Sequence, residues 1–240
     1  MRERYSMMIS IVILISSVIA GTITGQINYQ GKLPKKKSIK MEADPICGSY
    51  HDKDIFRESF IVDENNNLAN VMVWLEKVNY DNSIPKDTIE LDQIGCMYKP
   101  HVMGIMKGQA LLIKNSDPTL HNIHSYSNNN HSFNFAMPKV VKEKIISFDQ
   151  PEDPFYIKCD VHPWMKSWLA VFDHPFFAVT DKHGNYSIEN VPKGEYTVLA
   201  FQEKFKMAGI LKNQISISES GSIESDFTFI RKQKKSEVII

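Results

Sequence analysis

The chain has 240 residues, with 28 Lys and Arg against 28 Asp and Glu, and 42% of its residues are apolar. These fractions suit one large or two small folded domains and exclude disordered and collagen-like classes. A formal charge of zero leaves no basic surplus for neutralising phosphates, so a general nucleic-acid binder is also excluded.

In chain order, the first feature is an address. Arg2 and Arg4 precede an apolar run from Met7 to Ala20 that only serines interrupt. The run is shorter than the roughly 20 residues a spanning helix needs. Basic start, short apolar stretch and small-residue exit predict a Sec-type signal peptide over residues 1–20, with Val18 and Ala20 before the cut. The alternative is an uncleaved anchor. Cleavage would leave 26 basic and 27 acidic residues, a charge of −1, with no stable membrane span. The expected location is secreted or periplasmic, where disulfides persist.

From Gly21 the pattern becomes short and alternating. Ile23, Ile27 and Tyr29 lie among Gly21, Gly25 and Gly31, and residues 68–78 alternate through Val71, Val73 and Leu75. Further apolar runs lie at 111–114, 144–148, 155–158, 167–172, 185–188, 196–201 and 214–218. Turn residues bound them, as in Asp117-Pro118 and His183-Gly184-Asn185. Many short strands with frequent turns predict an all-β fold of sandwich or barrel type. No long helical period is visible. Asn128–Asn130 reads as a surface loop, and residues 231–240 as a solvated basic tail.

The chemistry concentrates in Cys159-Asp160-Val161-His162-Pro163-Trp164-Met165 and, upstream, in His121-Asn122-Ile123-His124. Two imidazoles, a thiolate and a long axial thioether are the ligand set of a blue-copper electron-transfer site. The segment 159–165 resembles the C-x2-H-x2-M ligand loop of amicyanin and the longer loop of plastocyanin, both cupredoxins. HNIH is similar to their first-ligand segment. The resemblance runs from Thr88 to Asp173 and implies a Greek-key β-sandwich holding one type 1 copper. It places the four ligands on His121, Cys159, His162 and Met165, and a thiolate-steadying role on Asn122. His121 is preferred to His124, which is expected beside the site or further along the strand. Pro163 and Trp164 would form an apolar docking rim beside His162, where the electron would leave.

Cys47 and Cys96 are the remaining cysteines, and export favours a disulfide between them. Alternatively, Cys96 and His101 could share a second metal, although their spacing fits no standard signature. His51, His131, His174 and His183 read as surface or turn residues. Cys159 is flanked by Lys158 and Asp160, not by the paired His of multicopper enzymes, and no G-x-S-x-G, phosphate loop or H-E-x-x-H is present.

Thr180-Asp181-Lys182-His183-Gly184-Asn185-Tyr186 and Val191-Pro192-Lys193-Gly194-Glu195-Tyr196 resemble the carboxypeptidase regulatory-like domain, a small transthyretin-like β-sandwich. Gly184 and Gly194 are expected in the left-handed region. That family's opening strands have counterparts far upstream, at Gly25–Tyr29 and Asn70–Leu75. The expected organisation is a split outer sandwich, residues 21–80 and 174–230, with the cupredoxin, residues 88–173, inserted. The runner-up lets residues 21–80 extend the cupredoxin sheet. The expected function is single-electron transfer between redox partner proteins, with no bond broken and no nucleic acid bound. The alternatives are copper storage or delivery, or a structural β-module with a vestigial site.

Overall fold

The computed structural model describes residues 20–81, 83–218 and 221–231. The leader expected over residues 1–20 thus lies, apart from Ala20, outside the described residues, as does all of the basic tail after Arg231.

Strand β1, Gly21–Gln30, opens the fold. A long excursion follows, carrying one short helix, α1, Pro45–Ser49. The chain then enters β2, Met72–Leu75. Nine strands come next: β3, Ile89–Ile94; β4, Met97–Lys99; β5, Val102–Met106; β6, Leu111–Asn115; β7, His121–Ser125; β8, Asn134–Met137; β9, Glu143–Ile146; β10, Glu152–Lys158; and β11, Lys166–Phe172. The last six are β12, Phe177–Val179; β13, Asn185–Val191; β14, Gly194–Phe201; β15, Leu211–Ile217; β16, Ser222–Glu224; and β17, Phe227–Ile230. A 3-10 turn, Glu203–Ala208, follows β14. The fold is all-β, as expected.

Four sheets stack face to face. The outermost has β1 between antiparallel β13 and parallel β16, with β17 continuing along β1. The second runs β12-β2-β14-β15, the third β5-β11-β10-β7-β8 and the fourth β4-β3-β6-β9. Three apolar layers separate them. Ile23, Val73, Leu75, Ile188 and Val198 fill the first layer. Met72, Trp74, Trp168, Ala170, Phe172 and Leu199 fill the second. Leu91, Ile113, Ile123, Ile157, Leu169 and Val171 fill the third.

The strand sequences explain this stacking. In a strand, alternate side chains face opposite ways. In β2, Val73 and Leu75 face the first layer while Met72 and Trp74 face the second. In β11, Leu169 and Val171 face the third layer while Trp168, Ala170 and Phe172 face the second. Strands buried on both faces read as continuous apolar runs. MVWL and SWLAVF are such runs.

β1 and β2 pair with strands that follow Pro175. Trp74 of β2 faces Phe177 of β12 and Leu199 of β14, and β1 aligns with β13 from Gly21↔Val191 to Gln26↔Asn185. Neither pairs with a strand of residues 89–172. Gly25 is required at its position, because a Cβ there would lie 2.3 Å from the Ser225 carbonyl oxygen. Gly184 turns with φ 73°, as expected. Gly194 does not: it opens β14, and the left-handed residue of that connection is Asn190, φ 58°. Asn tolerates this region better than most residues, because its short polar side chain bonds locally.

Candidate metal centre

The ligand candidates sit at one end of the third sheet. β7 carries His121 and Asn122. β10 delivers Cys159, and the turn between β10 and β11 holds His162 and Met165. The Cys159 amide donates to the Met165 carbonyl (3.2 Å) and the Met165 amide to the His162 carbonyl (2.9 Å). The His162 amide donates to Cys159 Sγ at 3.3 Å. Pro163 has no N–H to satisfy, which suits this tight turn.

Donor atoms of His121, Cys159 and His162 lie within 4.8 Å of one another, and all three residues are buried. The two Nδ1 atoms are 2.9 Å apart, and Cys159 Sγ is 3.8 Å from His162 Nδ1. Met165 is fully buried in the same turn. An ion about 2.0 Å from each imidazole nitrogen and about 2.3 Å from a thiolate would space nitrogen and sulfur about 3.6–3.8 Å apart, and two nitrogens about 3.3 Å apart. The sulfur–nitrogen spacing fits, while the imidazoles stand a few tenths of an ångström closer.

Each imidazole is held from behind by a carboxylate. His121 Nε2 meets Asp117 Oδ2 at 2.8 Å, with the pair almost fully buried. His162 Nε2 meets Asp44 Oδ2 at 3.1 Å. An ionised carboxylate only accepts, so each Nε2 carries a hydrogen, and each Nδ1 keeps a lone pair when its imidazole is neutral. The two Nδ1 atoms therefore face each other at 2.9 Å, a spacing that one shared hydrogen or one shared cation would satisfy.

Burial and hydrogen bonding oppose each other at three groups here. Burial works to raise the Asp117 carboxyl, but hydrogen bonds from His121 and from the Cys96 and Gly95 amides outweigh it and hold it below the ordinary range. Burial also opposes ionisation of Cys159. The His162 imidazole and the His162, Asn122 and Val161 amides outweigh it, so the thiol is lowered. Burial pushes His162 down, yet Cys159 and Asp44 bring it above the usual imidazole value.

Asn122 Oδ1 accepts from the Asp160 amide at 2.6 Å, and its Nδ2 donates to Asn134 Oδ1. His124 points away from His121 and pairs with Asp160 at 2.8 Å. Odd and even residues of β7 face opposite sides of the sheet, which separates these two histidines. Cys47 and Cys96 are joined by a disulfide, so Cys96 has no thiol to share with His101. His101 instead meets Glu203 at 2.5 Å.

Three expectations need correction. Trp164 is not an exposed rim residue: it is 9% exposed, and its indole N–H donates to the Cys96 carbonyl at 3.0 Å. Only Pro163 of that pair is exposed, and His162 itself is 2% exposed. The segment around α1 covers this end. His174 is also no surface residue. It is buried, with Nε2 3.0 Å from the Leu75 carbonyl oxygen.

Asp44 and Asp117 escaped sequence reasoning. Asp44-Pro45 does carry a local signal, an N-cap followed by Pro at the first helical position. Its side chain accepts from the Ile46 and Cys47 amides. Nothing local shows that its second oxygen reaches a residue 118 positions away.

A family model described as polysaccharide lyase family 4, domain II, matches residues 161–225. No curated protein matches the chain. Solved structures similar to it include copper proteins. The Cu-containing nitrite reductase from Thermus scotoductus SA-01 is 16% identical over 41% of this chain, with a TM-score of 0.34. The match spans 25% of that reductase chain. A purple cupredoxin from Nitrosopumilus maritimus is 21% identical over 35% of this chain and 99% of its own, with a TM-score of 0.30. A mutant of amicyanin with Cu(I) is 16% identical over 37% of this chain and 86% of its own, with a TM-score of 0.32. Among the described residues no helix is long and apolar enough to cross a membrane.

Proposed function

We propose that this chain is an exported type 1 copper protein that carries single electrons between redox partner proteins and breaks no substrate bond. One observation carries the reading: the Nδ1 atoms of two imidazoles and the Cys159 sulfur converge on one buried point, each imidazole fixed from behind by a carboxylate. His121 and His162 would hold one copper through their imidazoles, Cys159 as thiolate, and Met165 would offer its thioether. Copper would supply the one-electron couple, which sulfur and imidazole ligands support in both oxidation states. The chain's own residues hold the donors still. Asp117 and Asp44 fix the tautomers, and the Asn122–Asp160 hydrogen bond pins the residue after Cys159. The basic, short apolar leader supports export.

In the same reading, residues 88–173 form the copper unit, inserted into an outer sandwich of residues 21–80 and 174–230 that is similar to carboxypeptidase regulatory-like domains. The pairing of β2 with β12 and β14 supports this. The burial of His162 favours a second reading, copper storage, because it removes the direct exit for the electron.

The test is the visible spectrum after adding Cu(II) to the purified chain. An intense thiolate-to-copper band, absent in Cys159→Ser, is expected of the electron carrier. Tight binding without that band selects storage, and no binding refutes both.

A further inference from the structure

Asp44 comes from outside the strands that hold the metal candidates. After β1 the chain leaves the first apolar layer and buries Ile39, Met41 and Cys47 in the third. It then returns to pack Phe60 and Val62 against the first layer before β2. A backbone pair, Ile39 N–H to Ile55 carbonyl at 2.7 Å, closes the excursion on itself. At its far point stands α1, whose position the Cys47–Cys96 disulfide fixes against the turn between β3 and β4.

This excursion meets the outward edge of His162 with two groups. Asp44 Oδ2 is 3.1 Å from Nε2, and Cys47 Sγ is 3.6 Å from the same atom. The two Asp44 oxygens have separate tasks. Oδ1 caps α1 through the Ile46 and Cys47 amides, while Oδ2 faces His162 and, at 3.4 Å, the Thr119 hydroxyl. The disulfide touches the other histidine by a parallel route, since the Cys96 amide donates to the same Asp117 oxygen that meets His121. Trp164 completes the seal by bonding to the Cys96 carbonyl.

We propose that residues 32–60 are a disulfide-held cap over the metal centre, with Asp44 as the positioning residue that seats His162. The cap shuts the outward edge of His162, so a bound ion exchanges with solution only when the cap lifts. The proposal rests on the reading of His121, Cys159 and His162 as metal ligands. The cap's geometry is nevertheless testable without metal.

The experiment uses the full chain in four forms: wild type, Asp44→Asn, Asp44→Ala and the double variant Cys47→Ala with Cys96→Ala. Asn keeps the N-cap and removes the carboxylate. In the metal-free proteins, imidazole nitrogen NMR reads the His162 tautomer and the solvent exchange of its Nε2–H. Wild type should show a protected Nε2–H. The double variant should lose that protection, and both Asp44 variants should populate the Nδ1–H tautomer. In Co(II)-loaded protein, transfer of the ion to excess EDTA should be about tenfold or more faster in the double variant and in Asp44→Asn. In the double variant, which keeps every proposed ligand and Asp44, the thiolate band at saturation should be unchanged. A wild-type Nε2–H that exchanges freely overturns the cap. So do variant exchange and release rates within about twofold of wild type. If wild type takes up no Co(II), the metal reading fails, and the NMR alone judges the cap. If the double variant does not fold, the two Asp44 variants decide.

Discussion

Asn122 works through three groups. Its side-chain oxygen accepts from the Asp160 amide, its side-chain nitrogen donates to Asn134, and its carbonyl accepts from the buried Tyr98 hydroxyl. Asn134 in turn donates to Asp160 at 3.1 Å, which closes a ring of contacts around the residue after Cys159. Asn122→Ala would leave the Asp160 amide and the Asn134 oxygen without these partners. Both contacts are only part-buried, so water can replace some of what is lost, and the cost should be about 1 kcal/mol or less. Urea unfolding of the metal-free chain should show that loss, and an unchanged midpoint would remove Asn122 from the support of the loop. At this scale the sequence was legible where chemistry is local. CDVHPWM puts a thiol and an imidazole three residues apart in one turn, so the meeting of Cys159 and His162 follows from their closeness along the chain. The carboxylate of Asp44 was illegible, because its partner is fixed by how a distant segment crosses the fold.

Between elements, the telling contact joins the turn after β4 to the 3-10 turn after β14. His101 and Glu203 meet at 2.5 Å, with side chains only 7% and 8% exposed, and Lys166 stands 3.9 Å from the second Glu203 oxygen. Burial acts to raise the Glu203 carboxyl. The His101 contact and the Lys166 charge outweigh it, so the carboxyl sits below its ordinary value. A carboxylate depressed in the folded state contributes stability at pH above its unfolded value, and that stability is lost as pH falls through the depressed folded value. Wild type should therefore lose stability as pH drops below the ordinary glutamate range. Glu203→Gln should start lower at neutral pH and lose less on acidification. Urea midpoints measured from neutral to acid pH check this; parallel curves for the two proteins would contradict it. The strands flanking this contact were partly legible. The run 167–172 announced a strand, but alternation gave no face to it, because β11 is buried on both sides. A strand without a polar face cannot reveal which layers it separates until its neighbours are known. The short edge strands β4, β8 and β16 escaped for the opposite reason. With three or four residues each, they show too little alternation to read.

Across the whole molecule, the middle apolar layer decides whether there are two units or one. The pairing of β2 with strands after Pro175 could be suspected from the signals at Asn70–Leu75 and Thr180-Asp181, but the contact between the second and third sheets could not. Met72, Trp74, Leu199 and Phe201 from the second sheet pack directly on Val102, Trp168, Ala170 and Phe172 from the third. Aromatic contacts cross it: Trp74 to Phe172, with centroids 5.9 Å apart, Phe172 to Phe177 at 4.6 Å, and Trp168 to Phe201 at 5.0 Å. Neither central sheet can expose this face to water without losing burial worth about 25 cal/mol for each Å² of apolar area. Independent unfolding of either sandwich would strip the other's inner face. The chain should therefore unfold in a single calorimetric transition, with calorimetric and van't Hoff enthalpies equal. Ala170→Glu places a charge in the layer and should divide that transition in two. A ligand that binds only the folded state raises stability by mass action. Metal added at the far end of the third sheet should then raise hydrogen-exchange protection of β1 and β13 amides as well as those of β7 and β10. Protection gained by β7 and β10 alone would mean that the outer sandwich opens separately, and that the shared layer does not couple it to the metal centre.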